Sequence, residues 1–538
     1  MVSLVLFFSL MLLISWIIRE NMFMIYPILQ HSKLFFQLMV GATILAIMGN
    51  VLGVRTFGVF GPVIICFVFL RAGLVWGLFL FFNIFLVSLA ARALFEPLKL
   101  PASHRVAVTI TIVGIYMSLI EMVGEAYHIK QLEFSILFPI LISSWLGDRF
   151  ANEVSERGWY HPTLRFFWTT IAIVVAYLSI SYEPFISWLI SNPESWSLLI
   201  LLNIYLGIRV RFRLSEYFRF RSVLNPHSKN EILTMNVRNR DLIVKYNPRR
   251  VFPEIQKAMV KEKLDRAGVP VARNIFVATE KRDLETCRMI LADKHGFVVK
   301  PSKSYGGEGI LIVKGRRGGN FVTSTGEDID LNGVIAHISR VLDGQYSAEA
   351  RDIALIEELI TPDPFFSKIS YSGLPDVRVI ALKGFPIMAM MRLPTKRSRG
   401  KANLHLGAAI IGIRLDDGMT TRALYLGREI ERHPDTNEKL LGLKIKDWPK
   451  ILEIAVRAQE TSGLGYAGVD VVIDEHRGPL VLEVNKRPGL EIQNANADGL
   501  LRRLRFVEDM YPRYEETELS ERVKLAMEWD RLNWKVEK

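Results

Sequence analysis

The sequence predicts a chain of two unlike parts, an N-terminal all-α polytopic membrane domain followed by a C-terminal α+β domain. Residues 1–208 contain long apolar runs with few charges, whereas 230–538 has the mixed composition of a soluble domain. The overall hydrophobic content of 50% and the mean hydropathy of +0.22 therefore average two different environments. We expect 1–208 to form the membrane domain and a soluble domain to follow after a short connection.

The apolar runs of the first part are candidate membrane helices. Several are shorter than the roughly 20 residues that a perpendicular span needs, so the pattern favours eight spans and leaves seven as the alternative. The candidates are Leu4–Ile18, Leu34–Leu52, Phe57–Leu70, Ala72–Ala91, Val106–Ile120, Phe134–Leu146, Phe166–Ile180 and Trp196–Ile208.

Charges in the connecting loops predict the orientation of these helices. Loops that contain Arg55 or Arg149 alternate with poorer ones, and the loop 182–195 carries no Lys or Arg. Basic loops stay on the cytoplasmic side, so the soluble domain and the N-terminus are expected in the cytoplasm of a bacterial inner-membrane protein. The first segment lacks a basic n-region and a cleavage site, and we interpret it as an uncleaved anchor. Cys66 and Cys287 fall in different domains and fit a reducing compartment.

A basic connection over 209–245 joins the two parts. Within 209–229 six residues are basic and one is acidic, and aromatic residues lie between them. Such a segment directly after a membrane helix favours an anionic lipid surface, at about 1 kcal/mol per basic residue near it. Nucleic acid would attract the same residues, but 230–538 has only 50 basic against 44 acidic residues. We therefore predict anionic lipid at the connection and no nucleic-acid partner.

Two apolar strands near the C-terminus, 468–474 and 480–485, carry a candidate metal site. A turn-rich connection of hairpin length joins them. Glu483 and Asn485 are two residues apart and project to the same face of a strand, where Asp470 of the partner strand can join them. Three oxygen ligands on a rigid hairpin suit Mg²⁺ that keeps waters and binds phosphates. The alternative is a solvated hairpin face with a few acids.

A glycine-rich segment further upstream has the composition of a phosphate-binding loop. Residues 297–313 are predicted as strand, glycine loop and strand, with Lys300 at the end of the first strand. Glycines let backbone N–H groups approach an anion, and the lysine adds a fixed positive charge. The segment lacks the Gly-Lys-Ser/Thr of a Walker loop, and many hairpin loops look similar. Lys257 lies on a predicted helix that ends at Gly268 and Pro270, where a solvated helix charge is the ordinary interpretation.

Taken together, these segments resemble the ATP-grasp superfamily and, within it, the RimK-type glutamate ligases and their uncharacterised relatives. The motifs occur in the family's order: a helix lysine, the glycine loop, the acidic segment 356–360, the segment 388–405 and the metal hairpin. The resemblance covers roughly 230–510 and implies an ATP-grasp fold. It implies a ligase domain at 246–510, with a charged C-terminal helix over 511–538 beyond it.

The resemblance also implies a role for each matching residue. Lysines and glycines would contact ATP phosphates, hinge residues would contact adenine, and others would lie close to the nucleotide; these are Lys257, Lys300, Gly306, Gly307, Gly309, Glu358, Leu359, Asp376, Lys401 and Asn403. The ligands of Mg²⁺, which Mn²⁺ could replace, would be Asp470, Glu483 and Asn485. The arginines facing the activated carboxylate would be Arg378, Arg392 and Arg487.

The implied reaction is ATP-dependent joining of a carboxylate and an amine through an acyl phosphate. An amino acid such as glutamate would be added to a peptide or small-molecule acceptor. Two features depart from the RimK pattern. The domain that precedes the core in that family is missing, and Lys486 and Arg487 make the metal loop more basic. A membrane transporter or sensor that only binds nucleotide is the alternative from another class, and the oligomeric state stays open.

The first half resembles the seven-helix membrane domain usually joined to an inactive transglutaminase-like domain. The matching segments are 55–62, 71–77 and 213–220. This resemblance implies that the seven helices from Leu34 onward form one module and that Leu4–Ile18 is an additional anchor. No biochemical role accompanies it.

Overall fold

A computed structural model describes residues 2–95, 98, 102–129, 142, 145–147, 149–151, 153–154, 159–224, 231–247, 257–303, 309–346 and 351–533. The side chains of 2–6, 102–103 and 257–258 lie outside this description. The chain divides into two compact units, Met1–Glu216 and Tyr217–Lys538. The first contains helices and the second contains two β-sheets with helices, which confirms the predicted fold classes.

The first unit is built from apolar helices. Four stretches of its described residues are long and apolar enough to cross a membrane, and a fifth qualifies if a pair of helices bent by 104° counts as one span. The helices of this part are Val2–Glu20, Met22–His31, Lys33–Ile47, Phe60–Phe95, Ala102–Ala126, Tyr160–Ile180, Glu183–Ser191 and Glu194–Arg209, with a π-helical turn at Met48–Leu52. The division between the units falls within the short helix Leu214–Arg219.

The stretch Phe60–Phe95 contains a chain reversal. Gly73 has φ +78° and ψ 170°, which no helix contains. A Cβ at Gly77 would lie 3.0 Å from the Cα of Phe69, whereas eight residues of a straight helix extend about 12 Å. The stretch is therefore two helices that meet at Gly73, close to the division between the two runs predicted there.

The remaining candidate spans agree with the helices in part. Seven candidates coincide with a described helix or with one arm of the stretch broken at Gly73, whereas Phe134–Leu146 lies mostly outside the described residues. The predicted loop 182–195 contains the helix Glu183–Ser191, which was not expected. Pro184 lies in the first turn of that helix, and Ile186 and Leu189 are buried at helical spacing, so a short apolar stripe stabilises it. The count of seven or eight spans stays a prediction.

The second unit contains a six-stranded and a seven-stranded antiparallel sheet. The orders are β1-β6-β2-β3-β4-β5 and β11-β10-β9-β8-β7-β12-β13. The strands are β1 Asn274–Ala278, β2 Phe297–Pro301, β3 Leu311–Arg317, β4 Asn320–Thr323, β5 Asp328–Ile329, β6 Ala354–Glu358, β7 Asp376–Leu382, β8 Phe385–Leu393, β9 Ala409–Ile413, β10 Thr420–Tyr425, β11 Arg428–Ile430, β12 Tyr466–Asp474 and β13 Gly478–Asn485.

Helices cover these sheets and bury their apolar faces. Val334 and Ile338 pack beneath the six-stranded sheet, and Ile451 and Ala455 pack beneath the seven-stranded sheet, all fully buried at helical spacing. The helices of this unit are Lys257–Arg266, Asp283–Ala292, Leu331–Leu342, Pro364–Lys368, Trp448–Ser462, Ile492–Asn496, Leu500–Tyr514 and Leu519–Asn533, with short turns at Met235–Val237, Arg238–Leu242, Ile243–Tyr246 and Leu404–Leu406.

The ends of this unit differ from the predicted boundaries. Residues 217–224 and 231–245, predicted as part of a linker, belong to the second unit, and Phe220 and Leu233 are fully buried. At the other end, the helix Leu500–Tyr514 crosses the predicted boundary at 510. The last helix is held by an ion pair between Asp530 and Arg503 at 2.5 Å.

Candidate functional site

Four neighbouring strands of the seven-stranded sheet carry a row of charged side chains on one face. In the register of β7, β8, β12 and β13, Asp376 lies opposite Arg392, and Asp470 lies opposite both Arg378 and Glu483. Asn485 follows Glu483 by two residues and therefore shares its face. The sheet brings together residues that are more than a hundred positions apart.

Asp470 is the centre of this row. Arg378 donates from Nε to Oδ1 and from Nη2 to Oδ2, both at 2.7 Å, and Arg392 donates from Nη2 to Oδ2 at 2.7 Å. Asn485 adds a hydrogen bond from Nδ2 to Oδ2 at 3.1 Å. Burial disfavours the charged carboxylate, but the two arginines outweigh that effect and hold the pKa of Asp470 below its usual value. Asp470 is therefore an anion held by two guanidinium groups.

Asp376 anchors the other side of Arg392. The guanidinium donates from Nε to Oδ1 at 2.6 Å and from Nη2 to Oδ2 at 2.5 Å. Burial, only partly offset by Arg392, raises the pKa of the Asp376 carboxyl to about 6. Each arginine is thus fixed by a bidentate contact, which sets the plane of its guanidinium group.

The three predicted metal ligands differ in how accessible they are. Asp470 has a relative exposure of only 2%, because the arginines cover it. Glu483 and Asn485 are half-buried. Among the described residues no group of three His, Cys, Asp or Glu side chains converges as a metal site. The oxygen donors have the chemistry that Mg²⁺ prefers, with Glu483 and Asn485 the more accessible and Asp470 behind them.

A second charged cluster lies at the six-stranded sheet. Lys300 at the end of β2 donates from Nζ to Oε2 of Glu357 in β6 at 2.7 Å, and Nζ of Lys261 lies 2.6 Å from Oε1. Glu357 is 4% exposed, so one buried carboxylate gathers two ammonium groups. Glu357 is therefore the counter-ion of both lysines, and the two ammonium groups carry one more positive charge than this carboxylate offsets.

Lys261 and Glu357 were missed from the sequence. Lys261 is one helical turn after Lys257 in the helix Lys257–Arg266 and lies on the same helix face. Helical spacing alone therefore made Lys261 an equally good candidate for a phosphate contact. Burial, opposed by Glu357, lowers the pKa of Lys261 to about 8. The predicted contact of Lys257 with phosphate stays a prediction, because its side chain lies outside the described residues.

The glycine loop is described only at its end. Gly306 and Gly307 lie outside the described residues, whereas Gly309 has φ +67°. A Cβ at Gly309 would meet Cγ of Tyr346 at 2.4 Å, and its carbonyl oxygen lies 2.8 Å from Nε2 of His337. Burial lowers the pKa of His337, so a neutral ring that donates to this carbonyl is favoured.

The predicted adenine hinge is tied to the tip of the metal hairpin. Arg477, in the turn between β12 and β13, donates to Glu358 at 2.9 Å and to Asp474 at 3.0 Å. The carboxylate of Asp474 also accepts the backbone N–H of Thr361 at 3.1 Å. Burial raises the pKa of the Asp474 carboxyl, but hydrogen bonds from Arg477 and from backbone N–H groups outweigh this effect and lower the pKa to about 2. Leu359 directly follows Glu358, the last residue of β6.

The remaining predicted residues lie on loops. Lys401 is exposed, and Asn403 caps a short helical turn by accepting from the N–H of His405 at 3.0 Å. Arg487 is exposed and, in the part of the chain that is described, has no ion-pair partner. The structure therefore brings Arg378 and Arg392 together with Asp376 and Asp470 and does not place Arg487 in that cluster.

Sequence profiles of two families match this chain. One, described as "Sugar-transfer associated ATP-grasp", matches residues 237–509, just over half of the 538 residues. The other, described as "7 transmembrane helices usually fused to an inactive transglutaminase", matches residues 21–224. The second match and the apolar helices indicate a membrane protein.

Curated relatives match over short stretches. A "Probable alpha-L-glutamate ligase" of Citrobacter koseri is 58% identical over 43 residues, which is 8% of this chain and 14% of the relative. A "Probable alpha-L-glutamate ligase" of Legionella pneumophila is 53% identical over 50 residues, 9% of this chain and 16% of the relative. This chain thus spans less than a fifth of the length of these two relatives.

Solved structures of ligases also match. The ligase PsnB with a minimal precursor shares 20% identity at a TM-score of 0.28, over 49% of this chain and 63% of that chain. The D-alanine-D-alanine ligase of Coxiella burnetii shares 15% identity at a TM-score of 0.28, over 52% of this chain and 60% of that chain. By the profile over 237–509, this chain belongs to the sugar-transfer-associated ATP-grasp family.

Proposed function

We propose that this protein is a membrane-anchored, ATP-dependent carboxylate–amine ligase. The observation that carries the proposal is the half-buried pair Arg378 and Arg392, oriented by the buried carboxylates of Asp376 and Asp470 on one sheet face. Fixed guanidinium groups stabilise charge that develops on carboxylate and phosphoryl oxygens without having to reorganise. Family membership supplies the expectation of ATP.

In the proposed reaction, a substrate carboxylate oxygen attacks the γ-phosphorus of ATP, and ADP leaves as an acyl phosphate forms. An amine then attacks the acyl carbon, the amide bond forms, and inorganic phosphate leaves with the electron pair of the broken C–O bond. Lys261 and Lys300 would hold phosphate oxygens, while Arg378 and Arg392 would hold the acyl phosphate. The amine loses a proton during this step.

Mg²⁺ fits this arrangement through the oxygens of Glu483 and Asn485, with Asp470 as a third donor behind them. When bound, the ion would offset charge on the transferring phosphoryl group. Asn485 donates its Nδ2 to Asp470, which leaves its carbonyl oxygen as the atom for a cation.

The substrates are proposed by class. The named glutamate ligases favour an amino acid such as glutamate as the amine donor to a peptide or small-molecule carboxylate acceptor. The exposed Arg487 beside Lys486 favours an acidic acceptor. A sugar or cell-envelope precursor presented at the membrane is a third class, and the family description is compatible with it. We further propose that the ligase unit lies in the cytoplasm at the inner membrane, with anionic lipid near the arginines of 209–221.

A membrane transporter or sensor with a nucleotide-binding but non-catalytic domain is the second candidate. The pairing of Asp470 with two arginines favours it, because a carboxylate that accepts four hydrogen bonds has less capacity to bind a metal ion. The two candidates differ in whether ATP is converted to ADP.

The deciding experiment measures ADP release by the full-length protein in detergent with Mg-ATP, the amino acids and acceptors from a cell extract. Arg378→Lys keeps a charge beside Asp470 but loses the planar fork. We expect this variant to release ADP about 100-fold more slowly while it still binds ATP. Arg457→Met, at an exposed arginine on the helix Trp448–Ser462, is the matched control. ATP binding without ADP release in every mixture would favour the sensor.

A further inference from the structure

The segment 231–247, which precedes the helix Lys257–Arg266, is built into the ligase unit. Its Leu233 is fully buried, and the side-chain amide of Gln493 accepts from its N–H at 2.8 Å and donates to its carbonyl at 3.0 Å. The carbonyl of Glu231 accepts the N–H of Leu501 at 2.7 Å. The buried polar groups of this segment are therefore paired with residues of the ligase unit.

Arg238 connects this segment to the turn that follows β13. Its relative exposure is 6%, and its Nη1 donates to the carbonyl oxygen of Pro488 at 2.6 Å. Nε and Nη2 donate to Oδ1 of Asn239 at 3.1 and 2.9 Å, which fixes the guanidinium plane. A buried charged group is costly unless its hydrogen bonds are made, so this contact constrains where Pro488 lies.

Asn247 makes a second connection to the same turn. Its Nδ2 donates to the carbonyl of Lys486 at 3.3 Å and to that of Tyr466 at 2.7 Å, and its Oδ1 accepts the N–H of Tyr466 at 2.9 Å. The side chain is 2% exposed, so these bonds are made away from water. One amide thus ties the beginning of β12 to the end of β13.

The two connections enclose the end of the strand that carries Asn485. A Cβ at Gly468 would lie 2.6 Å from Cβ of Pro488, so the turn packs directly on β12. Gly468 lies opposite Asn485 in the register, and Asp470 lies opposite Glu483. A shift of the turn would therefore move Asn485 and Glu483 relative to Asp470.

We propose that Arg238 and Asn247 are positioning residues for the metal-binding end of β13. They hold the carbonyls of Lys486 and Pro488 and so keep Glu483 and Asn485 at the distance from Asp470 that a metal ion requires. This inference rests on the proposed function, because it assumes that these oxygens bind Mg²⁺. The segment 231–247 would then contribute to catalysis rather than serve only as a linker.

The test measures the Mg²⁺ requirement of ADP binding by the full-length protein in detergent. ADP affinity is measured by titration at increasing Mg²⁺ and again in EDTA. Loss of a partner that orients a metal ligand typically costs 10- to 100-fold in metal affinity. We expect Arg238→Met and Asn247→Ser to raise the Mg²⁺ concentration at half effect about tenfold and to leave ADP affinity in EDTA unchanged.

Arg240→Met is the matched control, since Arg240 belongs to the same segment and pairs with Asp241 at 2.6 Å on the surface. A wild-type Mg²⁺ requirement in a folded Arg238→Met or Asn247→Ser protein would overturn the proposal. Equal losses with and without Mg²⁺, or a failure of both variants to fold, would assign these residues a structural role only. Absence of any Mg²⁺ effect in the wild-type protein would instead remove the metal site of the proposed function.

Discussion

Arg378 of β7 donates two parallel hydrogen bonds of 2.7 Å to the carboxylate of Asp470, which lies opposite it in β12. Arg392 reaches the same carboxylate from β8, two strands away from β12. Asp470 is therefore both a predicted metal ligand and the counter-ion that orders two predicted catalytic arginines. A substitution at this position is therefore expected to affect both metal binding and the placement of the two arginines.

Asp470→Asn is expected to destabilise the ligase unit as well as to stop turnover. The substitution removes the buried carboxylate charge that two half-buried guanidinium groups share. Breaking a buried ion pair from one side costs about 3–5 kcal/mol, which is the upper range for this site. Thermal unfolding of the full-length protein in detergent, followed with and without Mg-ADP, measures the loss.

Glu483→Gln is the comparison for Asp470→Asn. Glu483 is half-buried on the same face, so its neutral analogue should leave thermal stability nearly unchanged and remove the stabilisation by Mg-ADP. Equal thermal stability of the Asp470→Asn and wild-type proteins would show that the arginines do not depend on this carboxylate.

The sequence predicted the parts of the site that depend on local pattern. The shared face of Asp470, Glu483 and Asn485 follows from strand alternation along the hairpin. The position of Lys300 follows from the glycine-rich loop that comes after its strand. The partnership of Arg392 with Asp470 depends on the strand order β8-β7-β12, which a single sequence does not contain. Lys257 and Lys261 are one turn apart, and only tertiary packing decides which of them is beside Glu357.

The fold shows the same division between local and long-range information. Apolar runs predicted the membrane helices, but the helix Glu183–Ser191 was missed because its nine residues hold too few apolar positions for a span. Residues 231–245 were predicted as the end of a linker from their polar side chains. Their burial comes from partners such as Gln493 that follow about 260 positions later.

Gly309→Ala should weaken nucleotide binding as well as stability. The residue has φ +67°, and a Cβ would lie 2.4 Å from Tyr346, so both the backbone and the ring must shift. A left-handed conformation costs a residue with a Cβ roughly 1–2 kcal/mol, and the contact adds to this. We expect the affinity for ADP to fall, as measured by titration calorimetry.

Gly268→Ala is the control for that experiment. Gly268 has φ +70° with open space around a Cβ, so it carries the backbone strain without the contact to Tyr346. This variant should lose stability and keep ADP affinity. If Gly309→Ala also kept wild-type affinity, the end of the glycine loop would have no part in binding phosphates.

A ligase fragment that begins at Tyr217 should fold, and one that begins at residue 248 should not. The longer fragment keeps Phe220 and Leu233, both fully buried, and the ion pair of Arg219 with Glu491 at 2.6 Å. The shorter fragment would expose the apolar surfaces that these side chains cover. Solubility and stabilisation by Mg-ADP compare the two. A soluble fragment from 248 with wild-type nucleotide affinity would show that 217–247 only connects the units.

The pKa of Lys261, lowered to about 8 by burial, predicts opposite effects of pH on stability and on nucleotide binding. Between pH 8 and the ordinary pKa of 10.5, the unfolded chain binds a proton that the folded chain has released. The contribution of this residue to the free energy of unfolding therefore rises as pH rises through that window. Nucleotide affinity should fall instead, because phosphates attract only the protonated lysine.

If only the protonated form binds, ADP affinity should fall up to about tenfold between pH 7 and pH 9, since about one lysine in eleven stays charged one unit above its pKa. Lys261→Met should bind ADP weakly and with little change over this range. Lys263→Met, on the exposed face of the same helix, should follow the wild-type profile. If the ADP affinity of the wild-type protein is constant from pH 7 to pH 9, Lys261 does not contact the phosphates. Its role would then be limited to the ion pair with Glu357.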